Sequence, residues 1–135
     1  MERIPHKPKV FLSYSYKDER TVRALQEALV STTDAVILDP IKEIGKGEKI
    51  VEKIEKSLKQ SDFVLIFLSP ESTESPNVLM ELGMAMSLGK KVIPIVLRDT
   101  DISAVPFNLR NRQVIVNTGP KSTAQRLKRD VLEKE

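Results

Sequence analysis

Cysteine is absent from this chain of 135 residues, and histidine occurs once, as His6. The missing thiols exclude disulfides, a cysteine nucleophile, cysteine-ligated zinc and iron–sulfur clusters. A single histidine, placed in a tail with proline and lysine, excludes a multi-histidine metal site and strongly disfavours a serine–histidine–aspartate triad. Any chemistry of this protein must therefore use carboxylates, hydroxyls, amides and the backbone.

Long apolar runs and a strong charge bias are absent as well. No apolar run approaches the roughly 20 residues that span a bilayer, and the charged residues 1–9 do not form a signal peptide, so we expect a cytoplasmic protein without a membrane partner. The 22 Lys+Arg and 19 Asp+Glu residues are interleaved, and aromatic residues make up 4%. This composition does not favour nucleic acid as a partner. We expect a flexible tail over residues 1–8 and one domain over 9–135.

Short apolar, β-branched runs alternate with helical patterns along the chain. Strands are predicted at residues 9–13, 35–38, 62–68, 91–97 and 113–116. Helices are predicted from residue 18 or 19, over 48–60, over 76–88 and from about residue 122. Nearly continuous apolar strands are typical of a parallel sheet that is covered on both faces. We therefore predict an α/β domain with a flavodoxin-like three-layer fold, a five-stranded parallel sheet and helices on both faces.

Polar loops follow the first three predicted strands, at the edge of the sheet where such folds bind ligands. The sequence matches neither of two nucleotide-binding motifs. Gly45 and Gly47 have the spacing of the first two glycines of the dinucleotide fingerprint, but Ile50 stands where its third glycine is needed. The phosphate-binding P-loop pattern is missing. A phosphoacceptor domain of the same fold needs acidic residues after strands one and three, where this chain has Ser13 and Ser69. Ordinary turns are also polar, so polar loops alone do not establish a binding site.

Glu81 is the single charge within the apolar segment 76–88. Ser75 is a suitable N-cap and Pro76 a suitable first residue for this helix, which we predict to be buried on nearly all sides. Asn77 lies one turn before Glu81 on the same side. A carboxylate on a buried helix is costly unless it is paired or faces a polar cavity. The sequence alone is compatible with three roles for Glu81: one half of a structural ion pair, a solvated position at an edge, or a functional group in a cavity.

These motifs resemble those of the Toll/interleukin-1 receptor (TIR) domains, in particular the short bacterial and archaeal forms. Residues 10–18, with the sequence VFLSYSYKD, are similar to the first-strand motif of that family. The segment 39–50 is similar to its BB loop. Residues 75–82, of the pattern S-x-x-V-x-x-E-L, resemble the motif that carries the catalytic glutamate of NAD-cleaving TIR domains. The resemblance covers about residues 8–130.

The resemblance implies an enzyme that cleaves the nicotinamide–ribose bond of NAD, with Glu81 as the catalytic residue and NAD as substrate rather than cofactor. Neither a metal nor another cofactor is implied. The substrate-binding residues that follow from it are Ser13, Tyr14, Ser15, Asp39, Lys46, Gly47 and Asn77. Lys42 or Lys46 would attract the pyrophosphate. The resemblance also implies assembly with other TIR domains, which activates the enzyme in signalling or antiviral defence.

Two alternatives stay open. Many family members carry an aromatic residue, often tryptophan, four positions before the glutamate, where this chain has Asn77. The segment 75–83 also resembles nucleoside deoxyribosyltransferases, in which Glu81 would act as a covalent nucleophile. The other alternative is a non-catalytic TIR adaptor, in which the BB loop recruits a partner and Glu81 is structural.

Overall fold

The computed structural model describes residues 7–40, 50–97, 100–101 and 113–133. The strands are β1 (Lys9–Ser13), β2 (Val36–Leu38), β3 (Phe63–Leu68), β4 (Lys91–Val96) and β5 (Ile115–Val116). The helices are α1 (Glu19–Thr32), α2 (Ile50–Gln60), α3 (Pro76–Ser87) and α4 (Pro120–Leu127), which continues into a π-helical turn (Lys128–Leu132). None of these described helices has the length and apolar character needed to cross a membrane. Most of the predicted tail (residues 1–6), as well as Lys42, Lys46 and Gly47, lies outside the described residues.

The five strands form one parallel sheet in the order β2-β1-β3-β4-β5. In the centre of this sheet Phe11 of β1 lies beside Leu38 on one side and Val64 on the other. The strand order is that of flavodoxin-like folds, so the predicted fold class is confirmed. The chain adds β2 on one side of β1 and then crosses to β3 on the other side. A crevice therefore forms beyond the carboxyl ends of β1 and β3.

Two apolar cores lie on opposite faces of the sheet. Alternate residues of β1 divide between them, since Val10 and Leu12 pack with α1 and α4, whereas Phe11 packs with α2 and α3. All six residues of β3 are buried, which explains its uninterrupted apolar sequence. The predicted arrangement of helices on both faces of the sheet is thus present in the structure.

The burial of helix α3 differs from the prediction. Only one side of it is buried, comprising Val78, Glu81, Leu82 and Ala85. The other apolar side chains are partly exposed and pack along the margin of the core: Leu79, Met80, Met84 and Met86. The physical reason is that α3 belongs to an outer layer, so the sheet covers one of its faces. Glu81 lies on the covered face, which excludes the solvated edge position.

Candidate active site

A cleft opens beyond the carboxyl ends of β1 and β3, next to the first turn of α3. Its volume is about 720 Å³. The residues that line it are Leu12, Tyr14, Ser15, Tyr16, Lys17, Glu19, Glu71, Glu74, Ser75, Pro76, Asn77 and Glu81. Doubly wound folds bind their ligands at this position, and the volume is that of a small-molecule site.

Glu81 lines the cleft and is buried, with 3% of its surface exposed. The start of α3 positions it, since Ser75 Oγ accepts a hydrogen bond from the Val78 N–H at 3.3 Å and Pro76 occupies the first turn, as predicted. Ser13 Oγ donates to Glu81 Oε1 at 2.7 Å. Ser13 is the last residue of β1 and is itself buried. This hydrogen bond therefore joins the first-strand motif (residues 10–18) to the motif of residues 75–82.

The environment of Glu81 favours its protonated form. Burial raises the pKa of Glu81 to about 7. The hydrogen bond from Ser13 acts in the opposite direction, whereas the negative charge of Asp39 raises the pKa further. Among the described residues no lysine or arginine forms an ion pair with Glu81. In this part of the chain Glu81 is therefore a cleft carboxyl rather than half of a structural ion pair.

A second polar cluster links β1, β2 and α1. Tyr14 OH donates to Asp39 Oδ2 at 2.7 Å, and Arg23 Nη2 contacts the same oxygen at 2.5 Å. The Arg23 guanidinium also donates to the Tyr14 hydroxyl and lies 5.2 Å from the centre of its ring. Burial, together with the hydrogen bond to Asp39, raises the pKa of Tyr14 above its ordinary value. The cluster fixes the side chain of Asp39 at the end of β2.

The structure brings most of the predicted binding residues to this region. Tyr14, Ser15 and Asn77 line the cleft. Ser13 holds the Glu81 carboxyl, and Asp39 is bonded to Tyr14 instead of lining the cleft. Lys46 and Gly47 are outside the described residues. A role in substrate binding stays a prediction for all of them.

Two residues of this region were not found by sequence reasoning. Arg23 follows Glu19 by four positions and approaches it to 3.6 Å, which is the spacing of an ordinary surface ion pair. The available signal was its place next to the buried Val22, at the border of the apolar stripe of α1. Tyr16 lies within the recognised first-strand motif, but no spacing argument distinguishes its side chain from those beside it.

The family model of the TIR domain matches residues 10–129. The chain therefore belongs to the TIR domain family. No curated protein sequence matches it significantly.

Solved structures share the fold at low sequence identity. The TIR domain of a Toll-related receptor from Hydra magnipapillata has a TM-score of 0.70 at 17% identity, over 93% of this chain and 95% of that one. The TIR domains of the activated Roq1 resistosome have a TM-score of 0.61 at 21% identity, over 96% and 75%. A 2-deoxyribosyltransferase from Leishmania mexicana has a TM-score of 0.66 at 19% identity, over 92% and 99%. These likenesses establish the fold alone.

Proposed function

We propose that this TIR domain cleaves the nicotinamide–ribose bond of NAD, as a hydrolase or a cyclase. The observation that carries the proposal is Glu81, a carboxyl with 3% exposure that lines an open cleft and is held by Ser13. A buried carboxyl with a raised pKa in a cleft is a common mark of a functional site. Membership of the TIR family adds support, because the matched residues 10–129 include the segment with Glu81.

The chemistry suits a site built without cysteine or histidine. NAD carries a cationic leaving group, so the bond between the ribose C1′ and the nicotinamide nitrogen breaks with little acid assistance. The bonding electron pair neutralises the nicotinamide ring, and positive charge develops on the ribose. A carboxylate beside the ribose stabilises this oxocarbenium-like transition state. In hydrolysis, water then adds to C1′ and releases a proton.

Within this mechanism Glu81 acts in its ionised form, which with a pKa of about 7 is present in about half of the molecules at pH 7 and predominates at higher pH. Its low exposure strengthens the attraction between the carboxylate and the developing cation, because few water molecules screen the two charges. Ser13 fixes the orientation of the carboxylate and stabilises its charge through the 2.7 Å hydrogen bond. Ser13, at the end of β1, thus orients the Glu81 carboxyl group of α3 before substrate enters.

The variant Glu81→Gln tests the catalytic assignment. Glutamine keeps the shape and can still accept the Ser13 hydrogen bond, but it lacks the charge, so we expect NAD turnover to fall by at least about 100-fold. Nicotinamide release is measured by chromatography at high protein concentration. Glu27→Gln, at an exposed position of α1, is the matched control and should retain turnover. Retained turnover in Glu81→Gln would show that the assignment is wrong.

A nucleoside deoxyribosyltransferase is the second candidate. It is favoured by Asn77, a polar side chain that lines the cleft one turn before Glu81, and by the fold shared with the Leishmania mexicana enzyme. Glu81 would then attack C1′ of a deoxynucleoside and form a covalent glycosyl ester, while the bond from C1′ to the base breaks and the base leaves after taking up a proton. Incubation with a deoxynucleoside and a second free base distinguishes the two enzymes, since exchange of the base is expected of the transferase only. A protein inert toward both substrates would favour the adaptor.

We further propose that the enzyme acts in the cytoplasm, in signalling or antiviral defence, and that self-association activates it. The support comes from the family, whose members associate with one another in TIR assemblies. The Roq1 resistosome contains such TIR domains. In this proposal the segment that contains Lys46 and Gly47 contacts a neighbouring domain and completes the site.

A further inference from the structure

Tyr16 places an exposed aromatic ring at the cleft. Its exposure is 81%, and it lines the cleft together with Pro76 and Asn77. The other aromatic residues of the described chain are engaged elsewhere. Tyr14 is bonded to Asp39 and covered by a guanidinium. The described phenylalanines are buried in the core: Phe11, Phe63 and Phe67. Tyr16 is therefore the most exposed aromatic ring among the described residues that line the cleft.

The backbone that carries Tyr16 is fixed on both sides. Ser15 Oγ accepts a hydrogen bond from the Lys17 N–H at 3.3 Å, and the Ser15 carbonyl accepts one from the Asp18 N–H at 2.8 Å. The buried Asp18 carboxylate accepts a further bond from Ser69 Oγ at 2.5 Å, at the end of β3. The turn is thus anchored to two strand ends. An exposed ring on an anchored turn loses little backbone entropy when a ligand packs on it.

Negative charge predominates among the described residues that line the cleft with this ring. Besides Glu81, whose protonated form is favoured, the described residues that line the cleft include three glutamates and one lysine, Lys17. Glu19 is partly neutralised by Arg23, whereas Glu74 is exposed near the start of α3. The face of a tyrosine ring attracts cations, and neighbouring carboxylates strengthen that attraction. A flat, positively charged ring matches this combination better than a neutral base does.

We propose that Tyr16 is the stacking surface for the planar cationic base of the substrate and selects pyridinium ribosides over nucleosides with neutral bases. The inference rests on the proposed function, because it places the leaving group of that reaction in the same cleft. Both residues line the cleft, and Tyr16 is exposed whereas Glu81 is buried. The base would thus bind near solvent, where the neutral product can leave.

The test uses 1-methylnicotinamide, a pyridinium cation that has no ribosyl bond to cleave. Its dissociation constant is measured by NMR titration of the wild type, Tyr16→Leu and Tyr16→Phe, with neutral nicotinamide as the comparison ligand. We expect Tyr16→Leu to weaken binding of the cation about fivefold and Tyr16→Phe to stay within about twofold of the wild type. Binding of nicotinamide should change less. Equal affinity of wild type and Tyr16→Leu for the cation, or no binding at the cleft, would overturn the inference.

The same variants separate this inference from the proposed function. The positive charge leaves the base as the bond breaks, so Tyr16→Leu should raise KM for NAD more than it lowers kcat. If the wild type binds 1-methylnicotinamide through Tyr16 but does not cleave NAD, the proposed activity fails and the binding surface stands. If NAD is cleaved and Tyr16→Leu leaves both KM and the dissociation constant unchanged, the activity stands and the binding surface fails.

Discussion

At the scale of the residue, Glu81 links the stability of the protein to pH. Its pKa is raised from an ordinary 4.5 to about 7 in the folded state. Between these values the folded protein keeps a proton that the unfolded chain releases. The free energy of unfolding therefore falls as pH rises through this window, by about 3 kcal/mol from this group, and the contribution becomes constant above about pH 8.

Glu81→Gln should abolish this dependence. We expect the variant to match the wild type in stability near pH 4.5 and to exceed it by about 3 kcal/mol at pH 8. Urea unfolding at the two pH values measures the difference. A difference between variant and wild type that stays the same at both pH values would contradict the raised pKa. Increased stability with lost turnover is the pattern expected of a strained functional residue.

At the scale of the element, Arg23 connects α1 to the ends of β1 and β2. Its removal would leave the carboxylate of Asp39, whose side chain is 7% exposed, without its cation. We expect Arg23→Met to reduce the free energy of unfolding by about 2 kcal/mol, less than for a fully buried pair because the Arg23 side chain is 25% exposed. Chemical denaturation measures this loss.

A double-mutant cycle identifies the cause of that loss. Adding Asp39→Asn to Arg23→Met should recover much of the stability, because the uncompensated charge is then gone. Arg20→Met, at an exposed position of the same helix, is the matched control and should change stability by less than about 0.5 kcal/mol. Additive effects of the two substitutions would show that the pair does not couple the helix to β2.

The elements differ in how far the sequence predicts them. Strand β3 follows from its continuous apolar run, since a strand buried on both faces needs no polar position. The first turn of α3 follows from Ser75 and Pro76, because capping is a local interaction. The burial of α3 was predicted wrongly, since an apolar composition does not tell how many faces the rest of the molecule covers. The bond between Ser13 and Glu81 joins positions 68 apart, and only the fold brings them together.

At the scale of the whole molecule, the proposed activation by self-association makes activity depend on concentration. Specific activity should rise with protein concentration, because a larger share of the chains is then assembled. Nicotinamide release per chain, measured over at least a hundredfold range of concentration, tests this expectation. A specific activity that stays constant over the range would show that a single domain carries the complete site.

The whole-molecule fold could be predicted from the alternation of strands and helices, and the strand order agrees with that prediction. The cleft could be placed at the strand ends, because parallel sheets bind ligands there. The roles of Arg23 and Tyr16 could not be predicted. One depends on a contact between α1 and the end of β2, and the other depends on which side chains remain uncovered. Both are properties of the assembled layers rather than of a local pattern.

The end of β1 has a further consequence. Three consecutive residues attach three different elements: Ser13 holds α3, Tyr14 holds the end of β2, and Ser15 holds the turn before α1. Successive side chains of an extended chain point in opposite directions. One inserted residue ahead of Ser13 would therefore turn the Ser13 and Tyr14 attachments away at once, whereas the local bond between Ser15 and the Lys17 N–H would move with the turn. A substitution alters one attachment. For the stability of this segment, we therefore expect an insertion to be more damaging than a single substitution.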